Sequence, residues 1–139
     1  MRSLAALLLA LSLSACTQVD SLVNDATRQL PTALPTTAPT GVWDTSYGEM
    51  TFSSLENGRV TATYKGENGQ LDGTMRGRVL TGYWTEPSSA RDCGTSRNGT
   101  PYWGRFSYTF NATMTAFDGG WSYCDGEPST SGDWTGTKR

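Results

Sequence analysis

The chain has 139 residues, 11 basic and 13 acidic side chains, no histidine and a net charge of −2. That balance is too acidic for a nucleic-acid binder, which needs clustered Lys and Arg to neutralise phosphates. The missing histidines exclude Ser-His-Asp and Cys-His catalysis, and every histidine-ligated zinc or copper site within this chain.

In chain order, Arg2 precedes the apolar run Leu4-Ala5-Ala6-Leu7-Leu8-Leu9-Ala10-Leu11, which ends in Leu13-Ser14-Ala15-Cys16. The run is shorter than the ~20 residues that a membrane-spanning helix needs. Its charged start, apolar middle and small-residue end have the form of a secretory signal. The pattern resembles a bacterial lipoprotein signal with its lipobox. The resemblance implies that residues 1–15 are removed and that Cys16 becomes the lipidated first residue. An ordinary signal peptide with a chance cysteine is the alternative. Acyl chains supply ~0.8 kcal/mol of anchoring per buried CH₂. Thr17 stands where an Asp often marks inner-membrane retention, so the same resemblance favours the outer membrane of a Gram-negative cell.

Residues 16–40 form the expected lipidated N-terminus and tether. Val19, Leu22, Val23, Ala26 and Leu30 have a weak helical spacing. A short isolated helix is marginal in water, so a disordered leader is an equal alternative. Pro31, Pro35 and Pro39 alternate with threonine and alanine, a composition that extends the chain. At ~3 Å per residue it could hold a domain some 30 Å off a membrane.

From Gly41 to Arg139 the pattern has period two. Apolar or glycine positions alternate with polar ones at Met50 and Phe52, then Val60, Ala62 and Tyr64, then Leu71, Gly73 and Met75, then Leu80, Gly82 and Trp84. After a gap the pattern resumes at Phe106, Tyr108 and Phe110, at Phe117, Gly119, Trp121 and Tyr123, and at Trp134 and Gly136. Asn57-Gly58, Asn68-Gly69 and Arg76-Gly77 fall between runs and suit tight hairpins. The expected fold is all-β, an antiparallel meander of about eight short strands in a small closed or partly closed barrel, with a β-sandwich as the alternative. Gly73, Gly82, Gly119 and Gly136 lie in the apolar register and are expected to be floors under rings from adjacent strands.

With Cys16 assigned to lipid, Cys93 and Cys124 remain as a pair in an oxidising compartment. A bridge between them would close a loop of about 30 residues and contribute roughly 3–4 kcal/mol. Two free thiols are the alternative. The bridge would staple the long interruption from Glu86 to Thr100 to the rim of the sheet.

The opening Gly41-Val42-Trp43-Asp44-Thr45-Ser46-Tyr47-Gly48 carries a second resemblance, with Leu80-Thr81-Gly82-Tyr83-Trp84, Gly119-Gly120-Trp121 and the closing Trp134-Thr135-Gly136-Thr137. Residues 41–139 resemble a broad group of small bacterial β-meander proteins with G-x-W-x-T-x-Y-G openings. The resemblance implies the fold and is silent on activity. A looser similarity to avidin-like barrels rests on the Gly-x-Trp openings, without matching biotin-binding residues.

Trp43, Trp84, Trp121 and Trp134 suit a core first and ligand contact second. Tyr102 and Trp103, beside the stapled loop, are the candidate exposed platform for a ligand or partner. Asp118, Asp125, Glu127 and Asp92 could serve a carboxylate pair or Ca²⁺, although their spacing matches neither motif. Asn98-Gly99-Thr100 and Asn111-Ala112-Thr113 match the N-glycosylation pattern, read as accidental in a bacterial lipoprotein. The expectation is therefore a non-enzymatic envelope lipoprotein without cofactor or metal. It would bind the membrane through Cys16 and dock to an envelope protein or a glycan, and not to nucleic acid. A small-ligand or carbohydrate-binding barrel is the alternative.

Overall fold

The computed structural model describes residues 38–139. The expected signal, Cys16, the pattern over 17–30 and the expected tether up to residue 37 lie outside the described residues. Pro39, the last of the three tether prolines, is fully buried. Eight strands follow: β1 (Gly41–Thr45), β2 (Gly48–Ser54), β3 (Arg59–Tyr64), β4 (Gly69–Arg76), β5 (Val79–Thr85), β6 (Trp103–Phe110), β7 (Ala116–Trp121) and β8 (Gly132–Lys138). Each pairs antiparallel with the next, and β8 returns to β1, so the sheet is a closed barrel and not a sandwich. Closure removes both free edges.

Turn chemistry explains the meander. Asn57 and Asn68 take φ of 60° and 52°, and Gly77 takes 59°, left-handed values that asparagine and glycine accept most readily. The alternation read from sequence sends Leu71, Gly73 and Met75 inward from β4, and Asp72, Thr74 and Arg76 outward. One strand ends earlier than its pattern. β7 stops at Trp121, and residues 122–124 run on beside β6, where the Ser122 and Cys124 amides donate to Arg105 and Trp103 at 2.9 Å each.

Side chains from every strand fill the interior. Trp43 is fully buried at its centre, with ring centroids 5.6 Å from Phe52, 5.5 Å from Phe110 and 5.7 Å from Phe117. Tyr108 stacks on Phe117 at 4.5 Å. Several of these rings fit because glycines stand opposite them. Tyr108 pairs with Gly119 and Phe117 with Gly136, as expected. A Cβ on Gly136 would meet the Phe117 ring. Tyr64 over Gly69 and Trp84 over Gly104 repeat the device at two glycines not assigned to it from sequence. Gly73 underlies Phe106, two strands away, with the ring edge 3.0 Å from where its Cβ would stand. At Gly82 the obstacle is the β4 backbone and not a ring.

The β1–β8 seam has only three paired positions, Trp43 with Lys138, Asp44 with Thr137 and Thr45 with Gly136. Arg139 braces it from outside, with Nε 3.0 Å from Asp44 and Nη1 2.6 Å from Glu49. Hydrogen bonds from Arg139 and from Lys65, respectively, hold Asp44 and Glu49 below the usual carboxylate range. Solvent screens these exposed pairs, so they add register more than stability.

The glycine pairing has a direct test. Gly136→Ala should destabilise by ~1–3 kcal/mol through overpacking against Phe117, seen as a lower urea midpoint. Gly77→Asn, with open space around a φ of 59°, should leave the midpoint nearly unchanged.

Candidate functional site

The Cys93–Cys124 disulfide is formed, with Cα atoms 5.5 Å apart. It ties the β5–β6 loop to the segment after β7. Further bonds hold the loop down: Glu86 N to Tyr102 O at 3.0 Å, Thr100 Oγ1 to Glu86 O at 2.7 Å, and Cys93 N to Pro101 O at 3.0 Å.

The stapled loop corrects the expected platform. Tyr102 is half-buried and Trp103 is only 3% exposed. Trp103 projects from the outer face of β6, opposite Thr85, and the loop folds over it. Its Nε1 donates to Thr95 O at 2.8 Å, and the Arg97 guanidinium lies 4.5 Å from its ring. A large ring on an outer wall loses water when a loop is fastened across it. Trp103 therefore serves as the loop's seat.

A different set of aromatics lines a cup at one end of the barrel. The β1–β2 turn supplies Tyr47, β5 Trp84, the end of β7 Trp121, the segment after it Tyr123, and β8 Trp134. Thr45 shapes the first turn: its Oγ1 donates to Gly48 O at 2.7 Å and accepts from Tyr47 N at 3.1 Å. Trp121 Nε1 donates to Tyr47 Oη at 2.9 Å, and Trp84 Nε1 to Ser122 O at 3.1 Å. Ring centroids lie 4.7 Å apart for Tyr47 and Trp134, and 4.9 Å for Trp121 and Tyr123. The cavity they enclose is about 240 Å³.

Glu67 and Glu86 also line the cup. Burial raises the Glu86 carboxyl above its ordinary range, against the hydrogen bonds from Tyr64 and Ser89 that favour its ionised form. Tyr64 Oη donates to Glu86 at 2.7 Å, and burial pushes the Tyr64 hydroxyl far up. The result is an aromatic recess with a half-buried carboxyl and a carboxylate beside it. Such a recess suits recognition through ring faces and a few placed hydrogen bonds.

The acidic residues singled out from sequence do not join this site. Asp92 accepts from Gly94 N at 2.7 Å, Glu127 lies 3.5 Å from Arg105, and Asp118 and Asp125 are exposed. Among the described residues no three His, Cys, Asp or Glu side chains are grouped to hold a metal. Of the four tryptophans assigned to a core, Trp43 is wholly internal, while Trp84, Trp121 and Trp134 border the cup as well. The sequence pattern does not single out Tyr47, Glu67 or Glu86 as site residues. The Tyr47-Gly48 turn and the carboxylate just after a Trp-containing strand were the available signals. Comparison with known proteins gives no matching family model, no similar curated protein and no similar solved structure.

Two outcomes are expected. Cys93→Ser with Cys124→Ser should cost about 3–4 kcal/mol and lower the calorimetric Tm by well over 10 °C. For Glu86, a raised folded pKa means that its protonation favours the folded state. That contribution is complete below the ordinary value of 4.5 and is lost as pH rises through the folded value. Glu86→Gln, which can still accept from Tyr64, should therefore raise Tm at neutral pH, with the two proteins converging near pH ~4.

Proposed function

We propose that this chain is a lipid-anchored, non-enzymatic envelope lipoprotein that docks to another envelope component through the aromatic end of its barrel. The filled interior carries this reading: an eight-stranded barrel packed with its own side chains leaves recognition to its ends and walls. Strand direction adds support. Gly41 opens β1 level with Phe52, and Tyr47 turns the chain at the other end. Gly41, where the chain enters β1, thus lies at the end away from the cup, which supports a reading in which the cup meets a partner. The lipobox, the proline-rich tether and the resemblance to small bacterial β-meander proteins agree with presentation at an outer-membrane surface.

The cup also favours a second reading, a small-ligand or carbohydrate site. Its volume of about 240 Å³ falls just under the ~300–1,000 Å³ of most small-molecule sites and suits a single small ring.

Crosslinking in intact envelopes separates the two readings. Recovery of a stoichiometric partner that is lost in Trp121→Ala is the expected result, and repeated recovery of the lone monomer would sink the docking reading. Saturable quenching of tryptophan fluorescence by free monosaccharides, abolished by Trp121→Ala, would decide for the ligand site instead.

A further inference from the structure

A second concavity lies outside the barrel, on the wall formed by β4, β5 and β6, with a volume of about 610 Å³. Four arginines reach it from separate parts of the chain: Arg59 on β3, Arg76 at the end of β4, Arg97 in the stapled loop and Arg105 on β6. Two carboxylates offset them in part. Asp72 holds Arg59, with Nε 3.0 Å from Oδ1 and Nη2 2.5 Å from Oδ2. Glu127 lies 3.5 Å from Arg105, but its side chain is 82% exposed, so water screens the contact. Arg76 and Arg97 have no ion-pair partner among the described residues. The wall is thus cationic on a protein of negative net charge.

Arg97 is held in place for this role. Asn98 and Gly99 form a two-residue turn with φ of 49° and 81°, closed by reciprocal backbone bonds of 2.9 and 3.0 Å between Arg97 and Thr100. The disulfide anchors the loop that carries the turn. The guanidinium lies 3.4 Å from the Tyr83 ring centroid and 4.5 Å from that of Trp103. Its Nε is buried without a hydrogen-bond partner. That Nε is closed to a ligand, so recognition falls to the terminal Nη groups of a guanidinium held in one place, whose fork matches phosphate geometry.

We infer that this groove binds a phosphorylated saccharide. The phosphate would sit between Arg76, Arg97 and Arg105, whose donors match its several oxygens. The groove is much larger than a phosphate group, and Thr74, Thr81 and Asn98 line the remainder with hydroxyl and amide groups suited to a hydroxylated carrier. A single clamp of this kind does not track a nucleic-acid backbone, which presents phosphates in a run. The site is separate from the cup and does not depend on what the cup docks.

The test is NMR titration of the ¹⁵N-labelled full chain with glucose 6-phosphate, with glucose and inorganic phosphate as parallel arms. The expected result is a saturable shift of the Arg97 Nε–H and of the Tyr83 amide with the sugar phosphate, weaker with phosphate and absent with glucose. Arg76→Gln, at an exposed position, should weaken binding roughly tenfold, and Arg97→Lys should weaken it although the charge is kept. No saturable shift, or binding indifferent to Arg76→Gln, overturns the inference. Equal affinity for inorganic phosphate and sugar phosphate overturns the saccharide assignment.

Discussion

An eight-stranded barrel has a narrow interior, and several of the large rings in this one lie where the strand opposite carries a glycine. That steric constraint governs the rest of the structure. Tyr64 lies over Gly69, Trp84 over Gly104, Tyr108 over Gly119 and Phe117 over Gly136. Each pair fixes register, because a one-residue slip would set a ring against a Cβ and turn the apolar face outward. Trp43 joins the pairs at the centre, touching rings from β2, β6 and β7. Such packing leaves orphaned polar atoms: Trp43 Nε1 and Tyr108 Oη are buried without partners, a cost set against the dispersion and hydrophobic gain of the filled core.

A filled core moves recognition to the surface, and the disulfide organises the surface. One bridge holds the β5–β6 loop against the chain leaving β7. On the end of the barrel this places Glu86 and Ser89 beside Trp84 and Trp121. On the outer wall it presses the loop over Trp103 and brings Arg97 onto Tyr83. The two faces carry opposite character. The cup combines aromatic rings with acidic groups, whereas the wall carries arginines and hydroxyls. Reduction of the bridge would loosen both together.

Most of the barrel was legible in the chain. Period-two alternation, Asn-Gly and Arg-Gly punctuation and the odd cysteine count are local signals, and the strands, the hairpins and the Cys93–Cys124 pair follow from them. The early end of β7 and the glycine roles at Gly69 and Gly104 were not legible, because both depend on which residue lies across the ladder. Trp103 was misplaced for a similar reason. Sequence locates it beside a loop but does not say that the loop folds back across it.

The functional surfaces divide along the same line. The sequence by itself determined the all-β meander, the absence of histidine chemistry and the expectation of an exported, lipid-bearing chain, since these rest on neighbours along the polymer and on composition. Only the tertiary structure decided that the interior is solid, that Tyr47 and Glu86 meet in one recess, and that Arg76, Arg97 and Arg105 share a wall. Barrel closure and loop folding bring together residues that are up to 39 positions apart, and no local pattern records that distance.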